Sequence, residues 1–469
     1  MDRRRGNGEA LRSAGDQILI SESPRLFARR PGPRLFRARS AVLLALLAPL
    51  LLAGCGVSGL QKRRAGYTLF YNGDMEGAAA ALADSTDDKN RLLYALDRGV
   101  IAHTSGRPED SNRSFARAED YIFELDVTDV SDQASSFLVN DYRIAYKGED
   151  FEKVLVHPFK ALNYLALNDP DAALVECRAL NNRLVEINER HGGESVYNDD
   201  AFARYLSGII YESQGNRNDA LVDYRLADSA FVGYGRKYGT PYPPSLQASL
   251  LRLAEAQEMG HLVDAFRERW PDVKWVPWPE RRAMAEVVFV LETGQAPVKE
   301  QARFDAVAGE EDGAPTVLSI AFPKYRVIPP EVGRSVLRAG ERAAGDELVE
   351  DVSSIAVKDL RDRYGRVVAK EIARVAAKTV ASEQVKQKNE ILGFLLNLVN
   401  SANEQADLRS WETLPAQFRI ARVLVPPDLP FPLSADIYAP DGRKIETVGL
   451  GEWTLRPGET LFLYHRTLY

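Results

Sequence analysis

Cys55 is the residue whose surroundings indicate a definite chemistry, because it ends the run Leu52-Ala53-Gly54-Cys55. Before that run lie an apolar stretch, 41–51, and an arginine-rich segment, 25–39. A basic segment, a short apolar core and small residues at a cleavage point are the three parts of a secretory signal. The apolar stretch is shorter than the ~20 residues that a bilayer-spanning helix needs. We therefore expect this segment to be cleaved from the mature chain.

The order of these parts resembles the lipobox of bacterial lipoproteins. That resemblance implies that Cys55 carries a diacylglycerol thioether and an acylated amino group, so that acyl chains anchor the mature chain in a membrane. Each buried CH₂ contributes ~0.8 kcal/mol, and stable anchoring takes more than one chain. The alternative is an ordinary cleaved signal with a coincidental cysteine. The ~40 residues before the apolar core exceed a usual basic segment, which indicates a translation start placed too far upstream.

The charge of the chain argues against nucleic acid as a partner. The formal net charge is −7, and residues 1–54 hold ten arginines and four acidic residues, so the remainder carries about −13. Binding to nucleic acid depends on neutralising phosphates with Lys and Arg, and a polybasic membrane patch needs the same residues. The second cysteine, Cys177, lies in an amphipathic helical pattern and is expected to be buried and free.

Residues for catalysis or metal binding do not form a recognisable pattern. The five histidines are scattered, with no H-E-x-x-H and no Cys/His metal spacing. Gly-rich phosphate loops and the G-x-S-x-G elbow are also missing from the sequence. Acidic pairs such as Glu310-Glu311 lie in polar stretches, where solvated charge is the usual outcome. We therefore predict no catalytic residues, no metal and no cofactor, and a protein that is not an enzyme.

Residues 55–262 are predicted to form a tetratricopeptide-like helical array. The clearest unit spans 203–234, and its signature positions are Gly208, Tyr211, Gly215, Ala220, Tyr224 and Ala227. Further units are expected at 67–82, 92–118 and 155–184. Pro158 would fall inside the first helix of the last of these units, so that helix either kinks at Pro158 or begins there.

Stacked repeats leave a concave surface, because each helix pair must bury its apolar face against its neighbours. The positions expected to line that surface and to bind a partner are Phe202, Tyr205, Ile209, Glu212 and His103. The alternative is that these side chains only pack on neighbouring helices.

A change of hydrophobic period marks the second half of the chain. Residues 263–283 are rich in Pro and Trp and are predicted to be a linker to a second domain, 284–469. Strands are expected at 287–292, 316–322, 324–328, 417–425, 435–438, 444–448 and 460–466. Asp441-Gly442 predicts a tight hairpin turn.

The predicted fold class is α+β: an N-terminal α-helical tetratricopeptide-like array, then a small antiparallel, sandwich-like β domain. Ile355, Leu360, Tyr364 and Val368 follow a helical period, so a long helical insertion is expected at about 353–408. Within it, 391–399 is unusually apolar. This stretch is expected either to be buried against the sheet or to dock on a membrane or a partner.

Several segments resemble an uncharacterised family of bacterial outer-membrane lipoproteins with tetratricopeptide-like repeats. They are 147–154 (KGEDFEKV), 161–165 (ALNYL), 288–298 (VFVLETGQAPV), 406–411 (ADLRSW) and 413–415 (TLP). The resemblance implies a lipid-anchored protein on the periplasmic face of the outer membrane. We expect a scaffold or adaptor that binds an envelope protein partner in cell-envelope assembly, including that of peptidoglycan. The alternative is a periplasmic enzyme or ligand carrier whose site lies between the repeats and the β domain.

Membrane attachment through Cys55 can be tested by cell fractionation. Cys55→Ser removes the thiol that the acyl chains require, so the variant is expected to leave the membrane pellet, while Cys177→Ser stays in it. Gly56 replaces the aspartate that retains lipoproteins in the inner membrane of enteric bacteria, so the parent protein is expected in the outer-membrane fraction. Sedimentation of Cys55→Ser with membranes would show that another anchor exists.

Overall fold

The computed structural model describes residues 59–84, 87–129, 145–193, 197, 199–311, 314–363 and 407–469. The predicted signal, Cys55 and most of the predicted helical insertion, including 391–399, lie outside the described residues. The described residues from 59 onward belong to one compact unit. None of the described helices is both long enough and apolar enough to span a membrane.

The first half of the described chain consists of helix pairs joined by short turns. The helices are α1 Gly59–Tyr71, α2 Met75–Asp84, α3 Arg91–Thr104, α4 Pro108–Asp129, α5 Asp150–Val154, α6 Val156–Ala166, α7 Pro170–Arg190, α8 Ala201–Ser213, α9 Arg217–Tyr238, α10 Pro244–Ala256, α11 Gly260–Arg269 and α12 Trp278–Ala283. The pairs are α1/α2, α3/α4, α6/α7, α8/α9 and α10/α11. The first half is therefore a tetratricopeptide-like helical array.

A glycine at the crossing point lets two helices of a pair approach closely. A Cβ on Gly208 would lie 2.4 Å from the Tyr224 ring, and one on Gly99 would lie 2.4 Å from the Phe115 ring. Each glycine precedes its ring by 16 residues. The predicted location of Gly208 at a helix crossing is confirmed.

Pro158 occupies the first turn of a helix. Helix α5 ends before Leu155 and α6 begins at Val156, so Pro158 is the third residue of α6. The first N–H groups of a helix have no intrahelical acceptor, so a proline there removes no hydrogen bond. Of the two outcomes considered for this unit, the helix begins near Pro158 rather than kinking at it.

The second half of the described chain contains two four-stranded sheets and a long hairpin. The strands are β1 Ala285–Thr293, β2 Val298–Glu311, β3 Ala314–Arg326, β4 Arg334–Ala339, β5 Arg342–Gly345, β6 Glu347–Asp351, β7 Gln417–Val425, β8 Phe431–Tyr438, β9 Lys444–Trp453 and β10 Thr460–Arg466. The central sheet has the order β10-β1-β7-β6, the outer sheet has the order β5-β4-β8-β9, and β2 pairs with β3. Strands β1 and β10 are parallel, so the expectation of a purely antiparallel domain is wrong.

Strand β1 is buried on both faces because the central sheet is the middle of three layers. All nine of its residues are buried. Val287, Phe289 and Leu291 pack with the outer sheet, while Val288 and Val290 join the core formed by the helices. The outer and central sheets thus form a sandwich, and the helical array covers the other face of the central sheet.

The predicted linker and the described start of the predicted insertion are part of this packed structure. Residues 263–283 contain the end of α11 and all of α12, and Trp270, Trp275 and Trp278 pack against the main core. A further helix, α13, covers 352–363 directly after β6. Both stretches connect the array to the sheets through side-chain packing.

The crossing at Gly208 predicts a stability difference between two glycine changes. Gly208→Ala would force its Cβ into the Tyr224 ring. We therefore expect the free energy of unfolding, measured by urea titration, to fall by ~1 to 3 kcal/mol. Gly233→Ala in α9 is the matched control, since no atom lies within 4 Å of its Cβ position. That control is expected to be neutral or slightly stabilising, because glycine disfavours a helix. If the two variants are equally stable, Gly208 does not lie at a close crossing of α8 and α9.

Candidate functional site

The concave face of the array is covered by the central sheet. The exposed fractions of the predicted groove residues are 0% for Phe202, Tyr205 and His103, 1% for Ile209 and 2% for Glu212. These side chains contact the central sheet or the helical core, so the prediction that they form an open surface for a partner is wrong. The physical reason is that Val288, Val290 and their neighbours on the central sheet also need an apolar cover.

Aromatic rings fill the contact between the array and the second half of the chain. Phe202 of α8 stacks on Phe418 of β7 with ring centroids 5.3 Å apart. Phe159 of α6 lies 5.7 Å from the same Phe418 ring and 5.9 Å from Trp411. These separations fall in the range of favourable aromatic pairs. The interface is therefore a packed core.

Arg422 of β7 holds the centre of this interface. Its Nε donates to Glu286 Oε1 at 2.8 Å, and its Nη2 donates to Glu212 Oε2 at 3.2 Å. Arg252 also donates to Glu212 from Nε, at 2.7 Å, and Arg281 pairs with Glu286. All five side chains are buried. Three arginines thus surround two glutamates contributed by α8 and β1.

The charge state of Glu212 follows from this surrounding. Burial alone would raise its pKa, but the Arg252 and Arg422 guanidiniums outweigh burial and lower the pKa to about 2. Tyr224 adds a hydrogen bond to Oε2 at 2.6 Å. Removing one partner from a buried ion pair costs ~3 to 5 kcal/mol. A change such as Glu212→Lys would therefore alter folding rather than report on partner binding.

His103 makes the second polar link between array and sheet. Its Nε2 lies 2.7 Å from Glu292 Oε1 of β1, and its Nδ1 lies 2.7 Å from Asn163 Oδ1. Because the Asn163 amide donates to Ser111 and Asn112, its oxygen must accept, which places a proton on Nδ1. The imidazole also stacks on Tyr464 of β10 at 4.0 Å. His103 thus positions β1 and β10.

Sequence reasoning missed the polar cluster around Glu149 and Glu152 at the start of α5. Glu152 Oε1 accepts a hydrogen bond from the Trp411 backbone N–H at 2.8 Å, and Glu149 pairs with Lys299 of β2 and with Arg363 of α13. The segments 147–154 and 407–411, more than 250 residues apart, therefore meet in space. Their likeness to family segments was a signal that could have marked them.

Two buried carboxyl groups, Asp200 and Glu350, meet where β6 packs on α8. Tyr197 donates to Asp200, and Tyr234 donates to Glu350 Oε1 at 3.4 Å. Burial raises the pKa of Glu350 well above 4.5, and Asp200 raises it further. Burial likewise raises the pKa of Asp200 to about 6, against the opposing hydrogen bond from the Ala203 N–H.

One cluster has the residue types of a metal site. Donor atoms of Glu119, His157 and Glu176 lie within 4.8 Å of one another. The Lys160 ammonium already lies 2.6 Å from Glu119 and 2.8 Å from Glu176. The Lys160 ammonium is therefore the cation that pairs with the two carboxylates. The cluster links α4, α6 and α7.

Two open clefts lie on the described surface. One, of about 420 Å³, is bordered by Arg91, Phe123 and Val127 near the end of α4. The other, of about 300 Å³, lies between the end of α9 and α13 and is lined by Lys237, Lys358 and Arg361 among others. The second lies where the array meets the β half.

Comparison with known proteins identifies no family. No family model matches the chain, and no curated protein matches it. A crystal structure of MamA is 16% identical, with a TM-score of 0.27, over 44% of this chain and 91% of that chain. The apo form of RapI is 12% identical, with a TM-score of 0.33, over 48% of this chain and 56% of that chain. Similarity this low carries no argument about function, and the helix-pair architecture rests on the geometry described above.

The buried Glu350 predicts a pH-dependent difference in stability. The pKa of Glu350 is higher in the folded protein than in the unfolded chain, where it is ~4.3. The contribution of Glu350 to the free energy of unfolding is therefore fully present below the unfolded pKa and is lost as pH rises through the folded pKa. Glu350→Gln is permanently neutral, so urea titrations from pH 5 to pH 9 should show it gaining stability relative to the parent, by at most ~1.4 kcal/mol per pH unit. Glu341→Gln, at an exposed turn, should follow the parent. If the free energies of unfolding of Glu350→Gln and of the parent change with pH in parallel, the raised pKa of Glu350 is contradicted.

Proposed function

We propose that the protein is a lipid-anchored scaffold or adaptor that binds a protein partner in the bacterial cell envelope. The observation that carries the proposal is the helical array, because tandem helix pairs present extended surfaces that suit protein recognition. The signal pattern ending at Cys55 supports anchoring at the periplasmic face of the outer membrane. Peptidoglycan assembly is one envelope process that such a scaffold would serve.

The partner in this proposal binds outside the concave face, since the central sheet fills that face. The second helices of the pairs carry apolar side chains on their outer surfaces. Val175 and Val185 of α7 are 53% and 55% exposed, and Val222 of α9 is 56% exposed. These outer surfaces are therefore accessible for contact with a partner.

A ligand carrier is the second candidate function. The observation that favours it is the cleft of about 300 Å³ between the end of α9 and α13. Clefts between structural parts of a chain are common places for small-molecule sites. The three basic side chains at its wall would suit an anionic ligand.

Crosslinking in intact cells separates these candidates. The tagged full chain and Cys55→Ser would be crosslinked and purified in parallel from the native envelope. A scaffold is expected to recover one protein at fixed stoichiometry, with reciprocal recovery when that protein is tagged, and to lose most of it when Cys55 is changed. A small molecule at fixed stoichiometry, with no protein recovered, would refute the scaffold in favour of the carrier.

A further inference from the structure

A cluster of tryptophan and arginine side chains lies at the far end of the array, where it joins the β half. Its members are Arg217, Arg267, Trp275, Trp278 and Arg282, and we call it the Trp–Arg patch. The three arginines are exposed, and the two tryptophans are partly exposed. The patch is built from the start of α9, from α11, from α12 and from the segment between α11 and α12.

The arginines of the patch lie over the faces of the tryptophan rings. Arg217 and Arg282 lie over Trp278, with guanidinium carbons 5.8 and 5.9 Å from the ring centroid. Arg267 lies over Trp275 at 5.1 Å. An arginine carries five N–H donors, so a guanidinium held over an aromatic ring retains donors that fit a carboxylate.

Backbone turns fix Arg282 in this position. A Cβ on Gly215 would lie 3.4 Å from Arg282 Nη1, and one on Gly458 would lie 3.5 Å from Arg282 Cζ. Both glycines have positive φ, at 79° and 77°, which other residues rarely adopt. The turn between α8 and α9 and the turn before β10 thus leave the space that the Arg282 side chain fills.

The charge of the patch is positive in a chain that is acidic overall. Among the described residues, Glu255 is the one carboxylate hydrogen-bonded to a patch side chain, and it accepts from Trp275 Nε1 at 2.8 Å. Arg217 donates to a backbone carbonyl, that of Ala256, at 2.9 Å. Tryptophan and arginine are also the residue types most enriched where binding energy concentrates.

We propose that the Trp–Arg patch is the docking surface for an acidic segment of the protein partner, with carboxylates on the arginine edges and apolar side chains on the tryptophan rings. This inference rests on the proposed scaffold function and names its binding surface. A carboxylate-rich segment complements the three arginines, and the opposite charge speeds its encounter with the patch.

Calorimetric titration of the full chain in detergent with octaglutamate and octalysine peptides tests the proposal. We expect octaglutamate to bind, octalysine not to bind, and added salt to weaken the binding. Arg217→Gln with Arg282→Gln should raise the Kd for octaglutamate about tenfold or more. Arg225→Gln with Arg236→Gln removes the same charge from exposed positions of α9 and should change the Kd less than about twofold.

Several titration results would overturn the proposal. They are equal binding of both peptides or of neither, equal weakening by the two double variants, and binding of phosphatidylglycerol vesicles without binding of octaglutamate. Circular dichroism of both double variants checks that they are folded. Recovery of the crosslinked envelope partner by the Arg217/Arg282 variant would refute the patch but leave the scaffold function standing. Recovery of no partner by any variant would refute the scaffold function itself.

Discussion

The rest of this structure depends on the burial of Arg422 between Glu286 of β1 and Glu212 of α8. A guanidinium removed from water loses its hydration and must find carboxylates in good geometry. The five-residue cluster provides that geometry only when the central sheet sits on the array in one register. Since β1 pairs with both β7 and β10, fixing its position fixes the middle of the central sheet. His103 fixes the other end of β1 through Glu292.

This constraint changes what the helical array can do. In an open array the concave surface is free for a ligand, but here the chain's own sheet occupies it, with aromatic contacts such as Phe202 on Phe418. The array and the sheet are then one packed unit, and neither exposes its apolar face. Recognition is left to the outer helix faces and to the end of the array. Those are the surfaces on which the scaffold proposal depends.

Features set by local spacing were predictable from the sequence. The 16-residue interval between Gly208 and Tyr224 encodes a helix crossing, because the small residue and the ring lie at facing positions of the two helices. The bounds of β7 and β10 follow from short β-branched and aromatic runs. Strands β2, β4, β5 and β6 lacked such runs. Strands β4 and β6 form against the distant strands β8 and β7, whereas β2 and β5 pair with the neighbouring strands β3 and β4 in hairpins. The parallel pairing of β1 with β10 joins residues more than 160 positions apart, which no local pattern can indicate.

By itself, the sequence determined four of the five helix pairs of the described residues, their turns and the change from helical to strand period, because each depends on residues within a few turns of one another. It also identified Phe202, Tyr205, Ile209, Glu212 and His103 as one face of the array. Only the tertiary structure decided what covers that face. The periodicity of a helix specifies which side chains point the same way, but burial depends on whatever packs against them. Here that is a sheet whose strands lie between about 70 and 360 residues further along the chain.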